Sequence, residues 1–239
     1  AKTSDNPGTR LKDLVERIYN KTGKQVVLLF DEYDAPLLTV LHDPERLETM
    51  RTELQSFYSP IKKLDPYLRF VFITGITKFS QLSIFSQLNN LNNISMLPQY
   101  AAMCGITIKE LEDNFQEGIA VLAEKYHYSH KQVIDKLLYH YDGYHFAEDS
   151  DGVLNPFSLL SAMNNRKFNN YWFSTGTPTF LVNMMRKFHT DLTEIDGSKA
   201  MQEDFDAPTE NMHNVLPLFY QSGYLTIKDY NPRSGMYTL

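Results

Sequence analysis

The sequence predicts an α/β fold with a mainly parallel sheet, followed by a mostly helical, winged-helix-like domain. Three features predict it: two unbroken apolar, β-prone runs, helical periodicity before and between them, and capped helices leading to a terminal hairpin after residue 105. The chain has 239 residues, more than the roughly 150 of an average domain. We therefore expect two domains, residues 1–105 and 106–239.

The first 80 residues alternate between helix and strand. Apolar residues from Leu11 to Ile18 share one helical face, and Gly23 ends that helix. The run Val26–Phe30 contains no polar residue, which predicts a strand covered on both faces. A second helix begins after Asp43, is bent or divided at Pro60, and precedes the strand at 68–74. This order predicts parallel pairing through a right-handed crossover.

Helix start signals dominate the second domain. Thr107 and Glu110 have the spacing of a capping box, and Ser129 and Asn155 are further N-cap candidates. A helix near Val215 followed by strands at 224–227 and 235–238 gives the winged-helix outline, and a short strand is expected at 101–104. The aromatic segments 142–146 and 172–178 are interpreted as turns held by buried rings, with a ligand pocket as the alternative.

Composition and charge exclude several classes of function. The net charge is −6 and no segment is basic, so direct binding to a nucleic-acid backbone is not expected. No run of 18 apolar residues occurs, so no membrane span is expected. The first ten residues contain no apolar stretch behind a basic start, so no signal peptide is expected either. A single cysteine, Cys104, excludes an internal disulfide and favours a reducing, cytoplasmic location. The seven histidines show no paired spacing typical of zinc sites.

The first candidate site is the acidic pair that follows the first strand. Asp31 and Glu32 stand where a sheet can deliver one carboxylate to Mg²⁺ and a second to an attacking water. Two alternatives stay open at this point. The pair is also explained as surface acids that end a strand, or, with Asp34, as a divalent-metal site of the nuclease kind.

The second candidate is the polar end of the next strand. Thr74 could contact a terminal phosphate or the attacking water, and Lys78 lies four residues further on. Each has an ordinary alternative, a threonine that ends a strand and a solvated lysine. The order strand, Asp-Glu, helix, strand, Thr favours the pair, because carboxyl ends of parallel strands meet at one edge of a sheet.

Longer motifs carry a family resemblance. The segments VVLLFDEYDAPLL, FVFITGITKFSQLSIFSQLNNLNNIS, YDGYHF, NPFSLL, NYWFSTGTPTFL and PLFYQSGYLTIKDY, in this order, resemble the bacterial AAA-ATPase-like family. The resemblance implies a P-loop ATPase core followed by a helical, winged-helix-like lid, in proteins that often carry a downstream PD-(D/E)XK nuclease-like domain. It implies that Asp31 and Glu32 are the Walker B acids, and that Thr74, Thr77 and Lys78 form the sensor 1 segment.

The implied function is an ATP-dependent switch. With Mg²⁺ and ATP as cofactors, Asp31 would hold the metal, Glu32 would act as general base, and Thr74, Thr77 or Lys78 would contact the nucleotide. Slow hydrolysis would then control a protein partner or the downstream nuclease-like domain. The alternative is a non-catalytic interaction scaffold derived from an ATPase fold.

One family motif is missing. The phosphate loop GxxxxGK[ST] does not occur, and the single Gly-Lys pair, Gly23-Lys24, precedes the acidic strand. No Asp-x-Lys or Glu-x-Lys tripeptide of a nuclease occurs either. We therefore expect a piece that lacks the first strand and the phosphate loop, does not bind ATP tightly by itself, and exposes a sheet edge that favours association.

Overall fold

The chain folds into two compact units in a computed structural model. The structure describes residues 5–41, 43–76, 88, 90–171, 179–191, 193, 195–206 and 215–239. The first unit comprises Ala1–Asn92 with Glu203–Ser222, and the second comprises Asn93–Gln202 with Gly223–Leu239. This division falls earlier than the expected boundary at 105/106, and each unit is completed by a segment from late in the chain. The assignment of a core and a lid stays a prediction.

The first unit begins in the predicted order of helix and strand. Its elements are α1 (Pro7–Thr22), β1 (Val26–Phe30), α2 (Ala35–Val40), α3 (Pro44–Tyr58), a 3₁₀ helix (Ser59–Tyr67) and β2 (Leu68–Ile73). Gly23 ends α1 with a left-handed φ of 67° and donates its N–H to the carbonyl of Tyr19. The Asp43 side chain caps α3 at the N–H of Arg46. The change from α to 3₁₀ helix at Ser59, just before Pro60, confirms the predicted division.

The two strands of the first unit pair in parallel, as predicted. Phe30 lies opposite Ile73 and Leu28 opposite Val71, with a register shift between Val26 and Val27. Both strands therefore deliver their carboxyl ends to the same edge of the sheet. In the described part of the chain this sheet has two strands.

The sheet is covered on one face. Val26, Leu28 and Phe30 pack on a core formed by α1, α3 and the 3₁₀ helix, with buried residues that include Leu11, Val15, Tyr58, Ile61 and Leu64. On the other face Val27 is 50% exposed, Leu29 70% and Phe70 55%. Among the described residues, the helices pack on the face of the sheet that carries Val26 and Leu28. The expectation of a strand buried on both faces is therefore wrong for the described residues. An apolar run shows that a strand can be buried but not what covers it.

Tyr58 lies in an aromatic cluster at the centre of this core. It is 4% exposed, and its ring meets those of Phe30 and Phe57 edge to face, with centroids 5.3 and 5.0 Å apart. Burial, assisted by the negative charge of Asp34, raises the pKa of Tyr58 from 10.0 to about 12. The phenol therefore keeps its proton in the folded protein at a pH where an unfolded chain loses it.

This shift predicts a loss of stability in alkali. A pKa that is higher in the folded state adds roughly 2 kcal/mol to the free energy of unfolding. This contribution is fully present below pH 10 and is lost as the pH rises toward 12. In urea unfolding between pH 8 and 11.5, Tyr58→Phe is expected to show a flatter decline of the free energy of unfolding than the wild type. Tyr139→Phe is the control, because Tyr139 is 82% exposed. Equal slopes for wild type and Tyr58→Phe would contradict the prediction.

The second unit is mostly helical. Its elements before the terminal sheet are α4 (Ile108–Asn114), α5 (Gln116–Tyr126), α6 (His130–Tyr141), α7 (Pro156–Asn165) and α8 (Thr179–Phe188). Both halves of a capping box are present at Thr107, which confirms the prediction, and Ser129 forms a second box with Gln132. Asn155 caps α7 at the N–H of Ser158. The residues expected to begin α8, Thr177 and Pro178, lie outside the described residues.

A small antiparallel sheet lies near the end of the chain. Strands β3 (Lys199–Met201), β4 (Asp229–Asn231) and β5 (Met236–Thr238) have the order β3-β5-β4. The predicted strand at 224–227 is wrong, since the hairpin forms at 229–231, and the strand expected at 101–104 is a turn. Helices α9 (Gln202–Asp206) and α10 (Leu216–Gln221) are joined by edge-to-face contact of Phe205 with Tyr220.

The winged-helix arrangement stays a prediction. Helix α10 belongs to the first compact unit, whereas the β4-β5 hairpin belongs to the second. Sequence proximity suggested one motif, but the observed grouping separates its parts. Within the described part of the chain, no helix combines the length and apolarity that crossing a bilayer requires.

Candidate functional site

The backbones that leave β1 and β2 are hydrogen-bonded to each other at the carboxyl edge of the sheet. The N–H of Thr74 donates to the carbonyl of Phe30 at 2.8 Å, and the N–H of Tyr33 donates to the carbonyl of Thr74 at 3.0 Å. The parallel ladder thus extends past the last strand residues and fixes the relative position of the two exit loops. Asp31 lies between these two hydrogen bonds.

Asp31 and Thr74 are in direct contact at this edge. The Oγ1 hydroxyl of Thr74 donates to Oδ1 of Asp31 at 2.5 Å. The N–H of Glu32 donates to the same oxygen at 3.0 Å. Two donors hold one oxygen of an exposed carboxylate, so the orientation of the Asp31 side chain is fixed without removing it from solvent.

Glu32 has a left-handed backbone conformation, with φ of 51°. This conformation costs a residue other than glycine about 1 kcal/mol or more and persists where neighbouring contacts enforce it. Here the adjacent N–H of Tyr33 is held by Thr74, and the carbonyl of Glu32 accepts the N–H of Ala35 at 3.1 Å as α2 begins. The Glu32 side chain is exposed next to Asp31.

Asp34 points inward and joins the two exit loops. It is 1% exposed, and its Oδ1 accepts the N–H of Ile76 at 3.2 Å. Its carbonyl accepts the N–H groups of Leu37 and Leu38 at 2.9 and 3.0 Å, at the start of α2. A buried carboxylate with such partners fixes loop geometry.

The carboxylates of this edge therefore do not form a three-ligand metal centre. Across the described residues, no group of three or more His, Cys, Asp or Glu side chains is placed to hold a metal ion. Asp34 is buried, whereas Asp31 and Glu32 are exposed. The alternative of a nuclease-type cluster of Asp31, Glu32 and Asp34 is not supported by this arrangement.

Gly75 is required by the close approach of Tyr33. A Cβ at position 75 would lie 2.5 Å from Cε1 of Tyr33 and 2.6 Å from Oδ1 of Asp34. The absence of a side chain lets Tyr33 and Asp34 pack directly on the loop after β2. Sequence analysis did not identify Gly75 or Asp34 as positioning residues, and the glycine directly after the strand-ending threonine was the available signal.

The remaining predicted site residues, Thr77 and Lys78, lie outside the described residues. Their contacts with a nucleotide stay predictions. The structure therefore brings together Asp31, Glu32 and Thr74 of the sequence-predicted set. It does not test the roles assigned to them.

The exposed edge fits a magnesium ion that takes most of its ligands from elsewhere. Mg²⁺ in nucleotide sites is bound by one or two carboxylates, by phosphate oxygens and by water. Both hydrogen bonds to Asp31 described above end on Oδ1, and the side chain is open to solvent. One oriented carboxylate is suited to this supporting role, which requires a nucleotide to supply the phosphate oxygens.

Comparisons with known proteins found a family model that matches part of the chain and a similar protein. Residues 1–85 match the family model described as "Predicted AAA-ATPase". The chain is also 37% identical over 224 residues to a protein of Azotobacter chroococcum mcd 1 named "Uncharacterized protein in vnfD 5'region". That alignment covers 91% of this chain and 40% of the relative, so the chain spans less than half of that protein's length. No solved structure matches the chain.

Proposed function

We propose that this chain supplies the metal-binding and catalytic edge of an ATP site in a longer AAA-type ATPase. The observation that carries the proposal is the hydrogen bond from Thr74 to Asp31 across the carboxyl ends of two parallel strands. The match of residues 1–85 to a predicted AAA-ATPase model supports the same reading. In open α/β sheets, ligands bind outside the carboxyl ends of the strands.

Each residue of the edge has a distinct role in the proposal. Asp31, held by Thr74 and by the N–H of Glu32, would bind Mg²⁺ directly or through water. When bound, Mg²⁺ would supply positive charge that offsets the negative charge developing on the phosphates. Glu32, exposed one residue further along, would accept a proton from the attacking water. Thr74, with Thr77 and Lys78, would contact the terminal phosphate and so respond to its presence.

The hydroxyl of Thr74 gives the proposal a switching step. Its single hydrogen is donated to Asp31, so a terminal phosphate at this edge would compete with Asp31 for that donor. Hydrolysis would then change the hydrogen bonding of the exit loops, which Asp34 and Gly75 couple to the start of α2. In the proposal, this change in the exit loops is what controls a protein partner or a downstream domain.

Calorimetric titration of Mg-ATP into the full-length protein tests the proposal. Saturable binding that is weakened at least tenfold by Asp31→Ala is expected, since this carboxylate would hold the Mg²⁺ that accompanies the phosphates. Asp65→Ala is a matched control, because Asp65 is an exposed carboxylate of the 3₁₀ helix. Folded protein that releases no heat with Mg-ATP would favour the non-catalytic scaffold instead.

Thr74→Val provides a second prediction. Valine keeps the shape of threonine but cannot donate a hydrogen bond to Asp31. In the full-length protein we expect ATP turnover to fall about tenfold, since a lost hydrogen bond to a charged group is worth roughly 1.5 kcal/mol. Thr74→Ser retains the hydroxyl and is expected to retain most of the activity. Equal loss in both variants would show that packing, not the hydroxyl, matters.

A further inference from the structure

The loop that follows α6 contains a buried carboxylate oxygen with no hydrogen-bond partner. Oδ1 of Asp142 is shielded from solvent and accepts no hydrogen bond in the described part of the chain. The backbone of Asp142 is fixed, because its N–H donates to the carbonyl of Leu138 at 3.0 Å. A buried acceptor without a donor is uncommon in folded proteins and points to a bound water or cation.

A histidine nitrogen faces the same place. Nδ1 of His145 lies 2.7 Å from the carbonyl of Ser150. A carbonyl only accepts, so Nδ1 carries the hydrogen, and Nε2 is the ring nitrogen that can offer a lone pair to a metal ion. The ring is further positioned by the backbone N–H of His145, which donates to Oγ1 of Thr226 at 2.6 Å. A ring whose Nδ1–H donates to a backbone carbonyl has the arrangement usual for metal-binding histidines.

The two acceptors converge at Gly152. A Cβ at position 152 would lie 3.2 Å from Oδ1 of Asp142 and 3.3 Å from Nε2 of His145. Neither atom is hydrogen-bonded to the other, since Oδ1 has no partner. The position that a side chain of residue 152 would take is a narrow gap, slightly smaller than a methyl group needs, next to one oxygen and one nitrogen that can each donate an electron pair.

The charge of the segment favours a cation in this gap. Residues 142–152 contain four carboxylates and neither lysine nor arginine. Asp142 is the carboxylate that faces Gly152. A neutral water could donate hydrogen bonds to both acceptors but would not offset this negative charge. A divalent ion would bind both acceptor atoms and also offset the charge.

We propose that Asp142 and His145 bind a divalent transition-metal ion of the Zn²⁺ type beside Gly152. The pair combines an imidazole nitrogen with a carboxylate oxygen, which suits Zn²⁺ and its neighbours better than the all-oxygen preference of Mg²⁺ and Ca²⁺. The described residues contain no group of three or more metal-binding side chains. The site therefore has two protein ligands, fewer than zinc sites usually have, which predicts modest affinity.

Zinc binding would fasten the turn after α6 to the loop that carries His145. The two ligands are three residues apart, and His145 is held by Ser150 at Nδ1 of the ring and by Thr226 at the backbone N–H. The ion would thus stabilise the second unit by binding the folded state only. This inference is independent of the ATP site, because it concerns other residues in the other compact unit.

Titration calorimetry of ZnCl₂ into the chelator-treated 239-residue chain tests the proposal. The expected result is one Zn²⁺ per chain, with affinity lowered at least tenfold in Asp142→Asn and in His145→Ala. Gly152→Ala is expected to weaken binding similarly, because a methyl group narrows the gap without removing a ligand. His130→Ala is the control, since that exposed histidine contacts Gln116. Mg²⁺ at the same concentrations is expected to give no comparable binding.

Two outcomes would overturn the proposal. Wild-type affinity for Zn²⁺ in both Asp142→Asn and His145→Ala would place the metal elsewhere, and no binding of Zn²⁺ by the folded chain would assign the gap to water. Asp142→Asn keeps the size of the side chain, and its fold is checked by circular dichroism. The visible spectrum of bound Co²⁺ gives a second readout, expected in the wild type and lost in His145→Ala.

Discussion

Glu32→Gln is expected to lower ATP turnover by the full-length protein about 100-fold or more, with ATP affinity changed less than about threefold. Glutamine has nearly the size of glutamate and keeps an oxygen, but it cannot take a proton from water at neutral pH. The exposed residue Glu32 follows Asp31 in the chain, and the orientation of the Asp31 carboxylate is set by Thr74. Binding and chemistry therefore separate in this variant.

Single-turnover hydrolysis and calorimetric binding measure the two effects. Glu53→Gln is the matched control, since Glu53 is an exposed glutamate of α3 outside the candidate site. An unchanged turnover for Glu32→Gln would remove Glu32 from the mechanism. A parallel loss of binding and turnover would instead indicate that Glu32 supports the loop, whose left-handed backbone at this residue makes it sensitive to substitution.

Local sequence signals predicted the helices well because the signals act locally. Each helix end that was predicted is marked by a residue that hydrogen-bonds a backbone group within one turn of the chain, so the residue type identifies the end directly. These residues are Gly23, Asp43, Thr107 and Ser129. The parallel pairing of β1 and β2 also followed from element order. These features require no knowledge of distant residues.

The errors concern contacts between segments far apart in the chain. The exposed face at Val27, Leu29 and Phe70 depends on what packs there, which the apolar run does not encode. The pairing of β3 with β5, which the sequence analysis did not predict, is also a long-range event. The strand expected at 101–104 failed for the same reason, since a short β-prone segment needs a partner to become a strand.

The contact between Asp31 and Thr74 in the candidate site could be predicted from the sequence, but the burial of Asp34 could not. Asp31 and Thr74 were brought together by reasoning about strand ends, and the structure places them in hydrogen-bond contact. Asp34 was interpreted as a possible metal ligand, because a carboxylate next to two others gives no sign of burial in sequence. Its partner, the N–H of Ile76, is 42 residues away, and backbone donors are present at nearly every residue.

Gly75→Ala is expected to lower the stability of the first unit by about 1–3 kcal/mol, the usual cost of forcing a methyl group into a packed site. The new Cβ would lie 2.5 Å from the Tyr33 ring and 2.6 Å from the Asp34 carboxylate. Relief requires moving a half-buried ring or breaking the hydrogen bond from Ile76 to Asp34. Native-state hydrogen exchange of β1 and β2 amides measures the opening free energy of this unit.

A double-mutant cycle decides whether Tyr33 causes this cost. If the ring is the main obstacle, Gly75→Ala will cost less in a Tyr33→Ala background, since the contact at 2.5 Å is removed and the one to Asp34 stays. Gly118→Ala in α5 is the control, because its Cβ would meet the flexible end of Met163 and alanine favours a helix. An equal cost in both backgrounds would assign the strain to Asp34, and hence to the hydrogen bond that joins the two exit loops behind Asp31 and Thr74.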